Sequence, residues 1–222
     1  MRGEKINLDY ITEYLSQVLP ESKGILRELE IYAKENQVPV IYPEVRYLLE
    51  VLCKIHKPAR ILEIGTAIGY SALVMNNALD GNVNITTVER DPDVSVVALE
   101  NFRKAKADNI RLIEDDAVVV LDSLSSKFDM IFIDAAKGYY NDFFCRCINL
   151  INDNGLIICD NVLYKGMTAT DDLLLRHRQK TIVVRMREFL ETICNHKNLT
   201  TSIIPIGDGV SVSYYKEGPK VE

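Results

Sequence analysis

Between Ala59 and Cys159 the chain alternates short apolar runs with longer amphipathic segments, and this restricts the possible folds more than any other feature. The runs are 60–64 ("RILEI"), 84–88 ("NITTV"), 110–113 ("IRLI"), 129–133 ("DMIFI") and 155–159 ("GLIIC"). Continuous apolar runs of this length suit strands buried on both faces, and strand alternating with helix predicts a parallel sheet covered on both sides. Ahead of it, residues 7–19, 21–36 and 43–55 carry apolar side chains at spacings of three and four, which predicts three helices. Pro20 and Pro43 suit first-turn positions, and Asp91 followed by Pro92 predicts a capped start for a helix over 91–106. After a predicted helix at 178–195, "LTTSIIPI" and "GVSVSYYK" flank Gly207-Asp208-Gly209. Two strands so close cannot be joined by a helix, so this last pair is expected to be antiparallel. The reading is one α/β domain over 1–222, a seven-stranded Rossmann-like sheet at 57–222 behind an N-terminal helical layer at 1–56. The sheet should be mostly parallel, with one antiparallel strand.

In "ILEIGTAIGYSALVM", Gly65 and Gly69 fall in the turn after the first strand, where doubly wound folds admit a nucleotide. The dinucleotide pattern G-x-G-x-x-G and the P-loop pattern are both absent, so no cradle for a pyrophosphate or triphosphate is evident. Glu89, at the tip of the second strand, is suited to accept hydrogen bonds from both ribose hydroxyls. Glu63 and the acids of "EDDA" add negative charge along the same edge. An adenosine ligand without phosphates, beside several carboxylates, fits S-adenosylmethionine and its sulfonium charge. The plainer alternative is that these glycines only make a tight turn.

Two neighbouring strand tips carry further chemistry. Asp134 ends the fourth strand, and Asp160-Asn161 end the fifth. Three oxygen ligands at adjacent tips form a set that Mg²⁺ or another divalent cation accepts alongside water and substrate oxygens. Lys137 lies three residues beyond Asp134. An amine beside a cation is pushed towards its neutral form, so it can take a proton from an acceptor hydroxyl whose ionised form the metal favours. The alternative reading makes Asp160-Asn161 a turn and Asp134 a surface acid.

Charge and cysteine usage narrow the classes. A net charge of −6 opposes non-specific nucleic-acid binding over the whole surface but leaves room for a local basic patch. No apolar run approaches the roughly 20 residues of a membrane span, and the N-terminal stretch lacks a signal-peptide apolar block, so a cytoplasmic protein is expected. The five cysteines lie mostly in apolar runs without zinc-site spacing, which reads as reduced, buried thiols.

Over nearly its full length the chain resembles the cation-dependent O-methyltransferases that include catechol and caffeoyl-CoA O-methyltransferases. The motifs that carry the likeness are "LEIGTAIGYSAL", "VERD", "EDDA", "FIDAAKGYY", "ICDNVLYKG" and "IGDGVSVS". The resemblance implies that Asp134, Asp160 and Asn161 hold the metal and that Lys137 is the base. It also implies that Glu63, Gly65, Ser71, Glu89, Asp116, Ala117 and Asp134 line the cofactor pocket, with Ala117 beside the adenine, and that the protein is a homodimer.

The acceptor is read from 161–193. Arg176, Arg178, Lys180, Arg185 and Arg187 lie between Leu173 and Arg187 with no acid. A helix there would carry an apolar stripe at Ile182, Met186, Phe189 or Leu190, and Ile193, with Arg178, Thr181 and Arg185 on another face. This segment, with "NVLYKG" and "KTIVVRMREF", looks most like the bacterial tRNA 5-hydroxyuridine methyltransferases, which form 5-methoxyuridine at the wobble position. That implies an anticodon stem-loop held by Lys165, Arg176, Arg178 and Arg185. The competing readings are a methyltransferase of catechol-like small molecules and a non-catalytic nucleotide-binding protein. The absence of tryptophan weighs against an aromatic lid for a small phenol.

Overall fold

A computed structural model describes residues 6–173 and 177–218. Seven strands form one sheet in the order β3-β2-β1-β4-β5-β7-β6. They are β1 (Arg60–Ile64), β2 (Asn84–Glu89), β3 (Ile110–Glu114), β4 (Phe128–Ile133), β5 (Ile151–Cys159), β6 (Leu199–Ile204) and β7 (Val210–Tyr215). The first five run parallel, and β7 inserts antiparallel between β5 and β6. The expected single reversed strand is therefore present.

Helices cover both faces, as the period-two alternation of the strands requires. On one face Ile61, Ile85, Met130, Phe132 and Ile158 meet α2 (Ile25–Asn36), α3 (Pro43–His56), α4 (Tyr70–Ala78) and α5 (Pro92–Lys104). On the other, Leu62, Ile64, Val88, Ile131, Ile133 and Ile157 meet α6 (Ala117–Ser123), α7 (Tyr140–Leu150) and α8 (His177–Asn195). The first helix, α1 (Asp9–Val18), buries none of its residues, so the N-terminal layer is built by α2 and α3.

Local chemistry explains several of the boundaries. Asp91 caps α5, accepting from the amides of Asp93 and Val94, and Pro92 opens the first turn. Pro43 opens α3 in the same way. Pro20 does not open α2. That helix starts at Ile25 behind Gly24, and the carbonyl of Pro20 accepts from Arg46 and Tyr47 of α3 instead. β5 begins four residues earlier than its apolar run, because "NDN" hides the strand and the register against β4 shifts there. On α8 the buried stripe is Val183, Met186, Phe189 and Ile193, so Val183 takes the place expected for Ile182.

Candidate active site

Everything of chemical interest gathers where the parallel strands end. The ladder continues past the strand tips, since the amide of Asp134 donates to the carbonyl of Ile64 and that of Asp160 to Ile133, each at 3.0 Å. The first turn is pressed against this edge. A Cβ on Gly65 would stand 2.0 Å from the carbonyl oxygen of Asp134, and its φ is +100°. Only glycine lets the β1 turn come that close to the β4 tip.

Two adjoining hollows open there, sharing Gly65, Ala67, Asp134 and Ala135 as walls. The smaller, about 280 Å³, is bounded by Val88, Glu89, Asp116, Ala117, Tyr139 and Phe143, among others. Glu89 is fixed rather than mobile. One carboxylate oxygen accepts from the Ala67 amide at 3.0 Å, and the other from the amides of Arg90 and Asp91 at 3.0 and 3.1 Å. Asp116 caps α6 through the Val118 amide at 2.9 Å, which places Ala117 on the chamber wall. A small, partly apolar chamber with the Glu89 carboxylate held in place is suited to a nucleoside.

Glu63, expected in the cofactor pocket, lines neither hollow. It points to the α4 side of the sheet, wholly buried, and its carboxylate accepts from Ser71 at 2.6 Å and from Thr87 at 2.5 Å. Burial is the main cause that pushes it up to about 7, with Asp134 and Glu89 adding repulsion and the two hydroxyls opposing. Ser71 reaches the larger hollow; Glu63 stands behind it and holds its hydroxyl.

The larger hollow, about 1370 Å³, runs from the strand tips to α2 and the 38–43 segment. Its floor carries Asp134, Lys137, Asp160, Asn161 and Asp208. The amine of Lys137 donates to Asn161 Oδ1 at 2.8 Å, so the residues expected as base and ligand are in contact. Asp160 is fully buried. Its Oδ1 accepts from the Asn161 amide at 2.6 Å, whereas Oδ2 has no hydrogen-bond partner among the described residues. Leaving a buried acceptor unmet costs about 1–3 kcal/mol, and more for a charged one. Burial, followed by repulsion from Asp134, raises Asp160, and burial likewise raises Asp134. Two repelling carboxylates, one with an unmet buried oxygen, form an arrangement that a cation would relieve. Among the described residues no group of three or more His, Cys, Asp or Glu side chains is placed to hold a metal ion; the fitting set is two aspartates and an asparagine.

Sequence reading missed Asp208 as a site residue, although it had singled out the turn that carries it. Its carboxylate accepts from the Lys165 amide, and burial raises it too. Of the basic residues expected to meet tRNA, Lys165 is exposed beside this turn. Arg185 is exposed, but its Nη1 donates to the carbonyl of Gly138 at 3.1 Å. Arg178 lies on α8 by its backbone, its side chain being outside the described residues along with the whole of Arg176. Three cysteines are buried as expected, while Cys145 and Cys194 are exposed.

This sheet, with its reversed seventh strand and its ligand hollows at the parallel strand ends, is that of the Rossmann-like methyltransferases. A model of the O-methyltransferase family matches residues 15–216, and the chain belongs to that family. It is 31% identical over 169 residues to a catechol O-methyltransferase of Niastella koreensis, covering 73% of this chain and 76% of the relative. A Staphylococcus aureus protein provisionally described as a caffeoyl-CoA O-methyltransferase superposes with a TM-score of 0.87 at 30% identity, over 93% of this chain and 100% of that one. The SAH-bound methyltransferase PaMTH1 of Podospora anserina superposes with a TM-score of 0.84 at 27% identity, over 94% and 95%.

Proposed function

We propose that this O-methyltransferase uses S-adenosylmethionine and a divalent cation such as Mg²⁺ to methylate the 5-hydroxyl of uridine at the tRNA wobble position. The observation that carries the chemistry is the hydrogen bond from Lys137 to Asn161, beside the orphaned oxygen of Asp160 and against a nucleoside-sized chamber. The adenosine fits the chamber bounded by Glu89, Asp116 and Ala117, and the SAH-bound Podospora relative supports that choice of cofactor. Asp134, Asp160 and Asn161 would hold the cation. When bound, the two groups supply an electrophilic methyl carbon and positive charge that favours the ionised hydroxyl.

The protein's own residues do the rest. Lys137 would take the hydroxyl proton, and the acceptor oxygen so freed would accept the methyl group that S-adenosylmethionine would supply, with S-adenosylhomocysteine as the leaving group. Glu89 would hold the ribose, and the Gly65 turn keeps the two hollows adjacent, so that acceptor and donor would be brought together without a bimolecular encounter. Lys137→Ala should lower turnover about 10²-fold or more, with partial rescue at raised pH. An unchanged pH–rate profile in the variant would remove Lys137 from the mechanism.

For the acceptor, three features support tRNA. The larger hollow is roomy for a single phenol ring. Lys165 and Lys180 are exposed on an otherwise acidic chain. A 5-hydroxyl beside a 4-carbonyl presents two neighbouring oxygens, as a catechol does. A small catechol acceptor is the second reading, favoured by the activity ascribed to the Niastella koreensis relative. Mass spectrometry of tRNA nucleosides from cells lacking the protein separates the two. Loss of 5-methoxyuridine with gain of 5-hydroxyuridine is the expected result; an unaltered nucleoside profile leaves the catechol reading.

A further inference from the structure

The loop that follows β5 is held in a strained conformation. Asn161, Tyr164, Lys165 and Gly166 all have positive φ, at 56°, 44°, 56° and 77°. A non-glycine residue in this region is disfavoured and persists only where its surroundings over-determine it. One restraint is the turn before β7, since the amides of Val162 and Leu163 donate to the carbonyls of Gly209 and Asp208 at 2.9 and 3.0 Å. The other comes from α8. Arg187 Nε donates to the carbonyl of Thr168 at 2.8 Å and Nη2 reaches that of Met167 at 3.5 Å. The same Nη2 pairs with Asp171 at 2.8 Å. Thr168 in turn donates its hydroxyl to the carbonyl of Leu163 at 2.9 Å.

Arg185 sits two residues earlier on α8. Residues two apart on a helix point about 200° apart, so one helix reaches two different loops. Arg185 Nη1 donates to Gly138, the residue that follows Lys137. The base and its asparagine partner are therefore both referenced to α8, one through each arginine.

We propose that Arg187, seconded by Arg185, is a positioning residue for methyl transfer: it fixes the strained 161–168 loop so that Asn161 meets Lys137. This rests on the proposed role of Lys137 and gives two residues of the basic segment a task inside the chain. A guanidinium suits it, because its planar fork spreads donors over Nε and Nη2 to reach two carbonyls and a carboxylate, whereas an ammonium offers its three donors from a single nitrogen.

The test uses the full chain and the variants Arg187→Ala, Arg187→Lys and Arg185→Ala. Turnover is measured with a 5-hydroxyuridine-bearing anticodon stem-loop RNA and, separately, with catechol. The affinity for S-adenosylhomocysteine is taken from calorimetry, and amide hydrogen exchange is followed over 161–169 and 65–78. Arg187→Ala should lower kcat at least about tenfold, since misplacement by an ångström can cost 10²-fold. Its affinity for S-adenosylhomocysteine should stay within about twofold of wild type, and exchange should quicken over 161–169 only. Arg187→Lys should fall between, and Arg185→Ala, at an exposed site where folding is not at stake, should lower kcat by a smaller factor. Unchanged exchange over 161–169 in Arg187→Ala, or losses of kcat and cofactor affinity in step, would overturn the inference. A wild type that methylates neither acceptor would instead overturn the proposed function, and the exchange data would then decide the inference alone.

Discussion

At the scale of single residues, Glu63 shows how a carboxylate can serve a site without facing it. Its folded form is pushed up to about 7 by burial, against about 4.3 in an unfolded chain. Below about pH 4.3 both states carry the proton and the group adds no pH dependence to stability. As pH rises towards 7, the unfolded chain releases its proton while the folded one keeps it, so stability falls through that window and then levels. The shift corresponds to about 3–4 kcal/mol. Glu63→Gln removes the titration and keeps a side chain that Ser71 and Thr87 can bond after their hydroxyls rotate. The stability difference between wild type and variant, from urea midpoints in the presence of a chelator, should therefore change sharply between about pH 4.3 and 7. A difference that stays flat would show Glu63 to be ionised throughout. Sequence alone could not place this residue. "LEIG" puts Glu63 one position before Ile64, and the alternation of β1 turns it under α4 and away from the edge.

At the scale of elements, most of the architecture was legible because each strand and helix declared itself by period and by caps. Asp91-Pro92 and Pro43 marked true helix starts, and the spacing around Gly207-Asp208-Gly209 was too short for anything but a reversed strand. The failures have local causes. Pro20 is tolerated in an extended connection whose carbonyl has partners on α3, and no pattern in the sequence encodes that long-range pairing. The start of β5 was hidden because its first turn of ladder is made by polar residues. The β1 turn gives the sharpest prediction at this scale. Gly65→Ala would drive a methyl into the carbonyl of Asp134 at a φ that disfavours a side chain. The backbone on both sides must move, which should cost about 3 kcal/mol or more and weaken S-adenosylhomocysteine binding. Matched urea melts and calorimetry check both, and a variant with wild-type values would mean that the turn can open without harm to either hollow.

At the scale of the whole molecule, the question is how an acidic protein would hold a polyanion. Lys165 and Arg178 are the residues through which the tRNA reading is most exposed to failure, since Arg185 already has a partner in Gly138. Replacing both by Ala should lower the slope of log affinity against log salt by roughly 1–2 units, about one for each phosphate no longer neutralised. Filter binding of wobble-hydroxylated tRNA over a range of salt concentrations measures this. Equal, weak binding by wild type and variant would favour the small acceptor. The site's tips were readable from sequence because apolar runs ended on acids, whereas the division of labour among the basic residues depended on which carbonyls α8 packs against.

The reversal of β7 also sets a timetable. A strand that runs against its neighbours starts at the end where they finish, so the turn bearing Asp208 arrives at the site although it lies near the end of the chain. The cofactor chamber is closed by residues no later than Phe143, while the floor of the larger hollow needs Asp208. At ribosomal rates of about 5–20 residues per second, the interval between the two is roughly 3–13 seconds. A nascent chain thus carries every residue of the smaller chamber's wall, with Asp134 and Lys137, before it carries the Asp208 that completes the floor of the larger hollow.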